Sequence, residues 1–267
     1  MTILVIGGCQ VYGYGLTDKE SSFLDQFVYQ LSEQGYHPEV TSYVFLPLAD
    51  IRETLTHLDL SQFDLLLIQP AHYYLQHPPT FWKLFKTPPQ KVPAHAGAGL
   101  RMTDLDALRN LPLLPLERTP ASWVKRTKSV LKCLLLTLGN QAGLVKQLLY
   151  VQQELTALLK QLQIHRQKVF LLTPTPHREL VSQWLRKQGR SLVIHEGHRW
   201  GITVLDTHSI IKPQEEFYIS DDPSHLNAIG HELMGRALFA CYNAKRNRLS
   251  DVEQSVELQP KPAMETA

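Results

Sequence analysis

The chain has 267 residues, 43% hydrophobic and 19% charged, with 14 Gly and 17 Pro. That balance excludes a disordered, collagenous or coiled-coil chain, and at about 150 residues per domain one enlarged domain competes with two small ones. The formal net charge is only +2, yet residues 83–168 hold 14 Lys or Arg against 4 Asp or Glu. A nucleic-acid binder is usually basic over a whole domain, so this distribution argues for a local anion-attracting face rather than a nucleic-acid surface.

Cys9, Cys133 and Cys241 form no Cys-x-x-Cys pair, which suggests neither a disulfide framework nor a zinc ribbon. The histidines at 95, 177, 195, 198 and 208 share no ligand spacing, so no metal is expected, and no cofactor is implied. No run reaches the roughly 18 apolar residues of a membrane span, and the opening run has no basic flank. The expectation is a cytoplasmic protein without a membrane partner.

In chain order, Ile3–Ile6 reads as a strand running into Gly7-Gly8 and a Gly/Tyr-rich loop to Gly15, followed by an amphipathic helix from Ser22 to Gly35. Residues 37–44 read as a second strand and 51–58 as a short helix. Asp64–Gln69 is a continuous apolar run stopped by Pro70, the pattern of a strand buried on both faces of a parallel sheet. Residues 77–120 carry eight prolines and break the rhythm as an insertion or lid. Within Val130–Leu138, Cys133 reads as core, as does Cys241 further on. From Asn140 to Leu162, leucines and Val151 recur at steps of four and three, which predicts one long helix. Lys168–Thr173 is the fourth strand, His177–Gln188 a helix closed by Gly189, Thr203–Asp206 a fifth strand, and residues 228–242 the last helix. The tail, 244–267, has no apolar period and is expected to be disordered. Alternation of strand and helix predicts a three-layer α/β/α sandwich.

Two segments carry chemistry. In Gly7-Gly8-Cys9-Gln10, a side chain at the carboxyl end of the first strand faces the crevice where α/β sheets bind ligands. In Asp222-Pro223-Ser224-His225, a carboxylate three residues ahead of a histidine can hold one imidazole nitrogen and leave the other for a nucleophile.

At these residues the sequence resembles the SGNH (GDSL-like) hydrolase family. Gly7-Gly8-Cys9 with Gly13 is similar to its first block, Gly-Asp-Ser with a glycine four residues on. Asp222, His225, Asn227, Gly230 and His231 match its last block, Asp-x-x-His-x-Asn-x-x-Gly-His. The resemblance spans roughly residues 3–242 and implies a flavodoxin-like parallel sheet in a single domain over 1–243, with the Pro-rich segment as an insertion. It also implies ester hydrolysis by a nucleophile, a histidine base and an aspartate orienter. The sequence departs from the family at Cys9, which replaces the serine, and at Gly8, which replaces the aspartate. The oxyanion-hole glycine is missing from Tyr43–Leu48, and Ala71-His72-Tyr73 stands where Gly-x-Asn belongs.

Three readings stay open. Cys9 can be a nucleophile served by His225 and Asp222, since an adjacent imidazole takes a proton from a thiol more easily than from a hydroxyl. The chain would then be an acyl hydrolase or acyltransferase, its oxyanion held by the Cys9 backbone N–H with Gln10, His72 or Tyr73 as replacements. Losing one such donor typically costs about 100- to 1,000-fold in turnover. The second reading is therefore a catalytically silent scaffold that binds a ligand or partner. A metal or redox role for Cys9 and His225 is the third, with few ligands in view. The bland roles are a buried thiol for Cys9, helix-entry caps for Asp222 and Asn227, a structural His231 and loop packing for His72 and Tyr73. Expected partners are a small-molecule or carrier-bound acyl substrate, anionic if Lys125, Arg126, Lys128 and Lys132 border the crevice.

Overall fold

The computed structural model describes residues 1–44, 46–70, 75, 77–86, 100–102, 123–220 and 222–257. Six strands form one sheet: β1 (Thr2–Gly7), β2 (Glu39–Val44), β3 (Leu65–Ile68), β4 (Leu100–Met102), β5 (Val169–Leu172) and β6 (Thr203–Leu205), in the order β4-β2-β1-β3-β5-β6. All neighbours pair in parallel except β4, which lies antiparallel on the edge strand β2. The five parallel strands are those expected. β4 comes from the Pro-rich segment, most of which lies outside the described residues.

The helices are α1 (Cys9–Tyr12), α2 (Phe23–Glu33), α3 (Leu48–Thr56), α4 (Trp123–Gln141), α5 (Lys146–Gln161), α6 (Leu180–Arg199), α7 (Thr207–Ile210) and α8 (Ala228–Glu257). Side-chain alternation along β1 divides the core. Leu4 and Ile6 face α3, α5 and α6, whereas Ile3 and Val5 face α2 and α8. A sheet covered on both faces needs strands that are apolar throughout, which is why β3 and β5 are buried at every position. Ser22 opens α2 with a capping box, exchanging hydrogen bonds with Asp25.

Four expectations are corrected. The single helix expected over 140–162 is interrupted by a turn at Gly143 (φ +66°), so Leu144 is exposed and the buried stripe begins on α5. Gly189 does not end a helix: α6 runs on to Arg199, and the missing Cβ at 189 makes room for Leu75. Cys133 is half-buried on α4 rather than core, and Cys241 is half-buried on α8. The segment from 244 continues α8 to Glu257. It docks through Lys245, whose ammonium stands 4.5 Å from the Phe170 ring centroid, and through Arg246, which donates to Tyr36 Oη at 2.6 Å. An apolar-period test does not register such contacts. Residues 258–267 lie outside the described residues.

Helices α2 and α8 pack tightly at Gly235, where a Cβ would lie 2.9 Å from the Phe23 carbonyl oxygen and 2.5 Å from Gln26 Cβ. A Gly235→Val protein is expected to lose about 2 kcal/mol by overpacking, seen as a lower urea midpoint with an unchanged m-value.

Candidate functional site

Two loops meet at the carboxyl edge of the sheet. The first owes its shape to glycine. A Cβ on Gly7 would run into Val11, so its absence lets α1 sit down on the end of β1 and puts Cys9 at the first helical position. Gly13, at φ +74°, closes that short helix with its N–H on the Cys9 carbonyl, a conformation that favours glycine. The half-buried Cys9 side chain packs beside Tyr12, Tyr14 and Val44.

The second loop is held as a small antiparallel bridge between Tyr218 and Leu226. Ile219 N–H donates to the His225 carbonyl, and Asp222 N–H to that of Ile219, both at 3.0 Å. Asn227 braces the loop through its amide, which donates to Glu216 and Tyr218 carbonyls while its oxygen accepts from Gly230 N–H. His231 is fully buried, and its Nδ1 accepts from Phe23 N–H, so it caps α2.

Within this loop one oxygen of Asp222, Oδ1, accepts from the backbone N–H groups of Ser224 and His225 and from the Ser224 hydroxyl. The other, Oδ2, meets His225 Nδ1 at 2.5 Å. His225 Nε2 then stands 3.0 Å from Cys9 Sγ. Asp222 and His225 are brought together with Cys9 in one line, with the Tyr14 ring 4.7 Å from the imidazole.

Solved structures with the same overall arrangement include three named for ester or acyl cleavage. The lipase Lip_vut3 from a goat rumen metagenome matches with a TM-score of 0.54 at 16% identity, over 90% of this chain and 97% of that one. The lipase/acylhydrolase from Enterococcus faecalis matches at 0.52 and 15% identity, over 92% and 96%. A catalytic mutant of an acetylxylan esterase from Geobacillus stearothermophilus matches at 0.54 and 11% identity, over 90% and 93%. The chain has the SGNH hydrolase fold. Neither a family model nor a curated protein sequence matches it.

On this SGNH scaffold the electrostatics of the site follow from burial and close partners. Burial opposes a charge on Asp222, but hydrogen bonds from His225 and Ser224 outweigh it and hold the carboxyl well below its usual range. Burial likewise lowers His225, yet the Asp222 and Cys9 partners overcome it and push the imidazole up to about 9. The Cys133 and Cys241 thiols, in contrast, are pushed up by burial.

The replacements expected for the missing oxyanion donors fare differently. Gln10 is buried, and its side chain is committed elsewhere: Nε2 donates to the Ser224 carbonyl at 2.6 Å and Oε1 accepts from Leu226 N–H at 3.3 Å. It straps the two loops together and does not face a substrate. His72 and Tyr73 lie outside the described residues.

Three polar groups escape sequence reasoning because no motif marks them. Ser224 shares the Asp222 carboxylate with His225. Gln69, at the end of β3 beside Gly7, is buried, and neither amide atom has a hydrogen-bond partner among the described residues. Arg186 on α6 is fully buried and donates through Nη1 to the Thr175 carbonyl and hydroxyl at 2.9 and 3.0 Å. Burial lowers its pKa to about 10 against the opposing pull of Cys9, Tyr218 and Asp222. Nearby, burial and the Arg186 charge push His177 down to about 3, which keeps that histidine neutral.

The shifts fix a stability window. His225 is raised above 6.5, so its contribution is complete below about pH 6.5 and is lost as pH rises through about 9. Asp222 is lowered below 3.8, so its contribution is present above about pH 4 and is lost in stronger acid. A His225→Gln protein should therefore show its largest loss of urea stability between about pH 4 and 6.5, and a shrinking difference from wild type toward pH 9. A pH-independent difference would contradict the assignment.

Proposed function

We propose that the chain is a Cys-dependent acyl hydrolase or acyltransferase acting on an ester or thioester, with Cys9 as nucleophile, His225 as general acid/base and Asp222 as the group that orients it. The observation carrying this reading is the 3.0 Å approach of His225 Nε2 to Cys9 Sγ, with Asp222 on the opposite ring nitrogen. The names of the matched solved proteins, among them a lipase, a lipase/acylhydrolase and an acetylxylan esterase, support acyl chemistry on this scaffold.

In the proposed reaction the Cys9 proton passes to His225 Nε2 and the sulfur attacks the acyl carbonyl. Asp222 stabilises the imidazolium that results. Collapse of the tetrahedral adduct breaks the bond to the leaving alkoxide or thiolate, which takes the proton from His225. The acyl group then sits on sulfur as a thioester. Water, deprotonated by His225, releases it as an acid, whereas an alcohol, amine or thiol acceptor carries it away as a new ester, amide or thioester. Thioesters react readily with amines and thiols, so transfer is as accessible as hydrolysis. The Cys9 backbone N–H is the first donor assigned to the oxyanion.

The test is mass spectrometry of the intact chain after exposure to an activated thioester. One acyl group is expected on Cys9, with Cys133 and Cys241 unmodified. In His225→Ala the acylation rate should fall at least about a hundredfold. If Cys9 reacts no faster than Cys133 and no acyl-enzyme forms, the chain is a silent SGNH-type binding scaffold.

A further inference from the structure

Helix α4 presents an inverted surface. Only Leu136 and Gly139 are buried, Gly139 against Phe85 and Val145. The same side is held to α6 by Trp184, whose Nε1 donates to Thr137 Oγ1, and by the Cys133 thiol on the Leu180 carbonyl. On a helix turning about 100° per residue, the sector opposite this contact collects Trp123, Val130, Leu131, Leu134, Leu135 and Leu138. All six are exposed, from 41% at Leu135 to 76% at Trp123. A core-packed helix of a globular protein puts such residues inward. Here the stripe extends for about 22 Å at the usual rise per residue and faces away from the body.

The charges on α4 identify what covers it. The helix contains Lys125, Arg126, Lys128 and Lys132 and no acidic residue. Arg126 and Lys128 fall on opposite margins of the apolar stripe, where their long stems extend its apolar surface while their charged ends stay in water. A second copy of the chain is disfavoured, because a two-fold contact through this face sets one cationic helix against another. Glu179, close enough to act on the Cys133 thiol, is engaged in capping α6 at Ser182 N–H. An acidic protein would meet the basic margins but would need an apolar face of its own, matched in length, to cover the leucine stripe. A hydrocarbon layer beneath anionic headgroups satisfies both parts at once.

We propose that α4 is an interfacial helix that docks the protein, without spanning, on an anionic phospholipid bilayer, with Trp123, Leu131, Leu134 and Leu138 entering the acyl boundary and Arg126 and Lys128 at the headgroups. Among the described residues no helix is long and apolar enough to cross a membrane. Lying on a surface is a separate requirement, met by moment and charge rather than by length. The inference is independent of the chemistry assigned to Cys9.

Cosedimentation of the full chain with vesicles tests it. Binding is expected to vesicles of equal parts phosphatidylcholine and phosphatidylglycerol, weakening steeply with salt and absent with phosphatidylcholine alone, together with a blue shift of tryptophan emission. A Leu134→Glu/Leu138→Glu protein should lose vesicle binding at least about tenfold, and Arg126→Glu/Lys128→Glu by a similar factor. The Leu134→Glu/Leu138→Glu protein should keep the wild-type melting temperature and Cys9 acylation, which separates failure here from failure of the acyl-transfer reading. The proposal is overturned if wild type does not bind the anionic vesicles, if the Leu134→Glu/Leu138→Glu protein binds as well as wild type, or if wild type is a dimer in solution that this substitution splits.

Discussion

The contact between Cys9 Sγ and His225 Nε2 joins residues 216 positions apart, and the rest of the site depends on it. Neither loop could hold such a distance alone, because closing so long a stretch of chain carries an entropy that one hydrogen bond does not offset. The parallel sheet meets that requirement in advance. It fixes β1 at the centre, so the loop after it emerges at the carboxyl edge, and α8 packs on α2 so that the loop before α8 returns to the same edge. Gln10 then makes the alignment specific, tying the residue after Cys9 to both sides of His225 through one amide. The thiol and the imidazole are consequently set by the core and by a strap, while the loops themselves remain short and polar.

That alignment places several ionisable groups away from water. A buried charge is tolerated only when close partners replace its hydration. Asp222 has them in Ser224 and the backbone, His225 in Asp222, and Arg186 in Thr175. Arg186 lies within electrostatic reach of Cys9, Tyr218 and Asp222, and it helps keep His177 neutral. Removing any one member leaves the others partly uncompensated, which makes the cluster cooperative in the sense of a network rather than a sum of pairs.

How much of this is legible in the sequence depends on how local its cause is. Parallel strands buried on both faces announce themselves as apolar runs, so β3 and β5 are read directly. The Asp222-x-x-His225 spacing and the glycines around Cys9 mark the two loops for the same reason: each is a short-range requirement of a turn. Gln10 is misread because its partners, Ser224 and Leu226, are remote and its type is equally suited to a substrate contact. Gly189 looks like a helix stop, yet its small size answers to Leu75, a tertiary neighbour. Helix α4 is the converse case. Its leucines predict burial by composition, and only the packed structure reveals that the stripe points away from the core.

The substitution of thiol for hydroxyl is consistent with the environment around it. Asp222 on the far ring nitrogen strengthens His225 as a proton acceptor, and a thiol yields its proton to an imidazole far more readily than a hydroxyl does. Part of the rise in the His225 pKa comes from Cys9 itself, so serine at position 9 would remove both the acidic partner and some of the shift that it causes. On the proposed chemistry the site is self-consistent around sulfur: Asp222 secures the imidazole, the imidazole stands 3.0 Å from the thiol, and the buried Arg186 guanidinium adds positive potential beside them. This is why, on the proposed chemistry, a thiol rather than a hydroxyl at residue 9 suits the Asp222–His225 arrangement and is not a sign that the arrangement lacks a purpose.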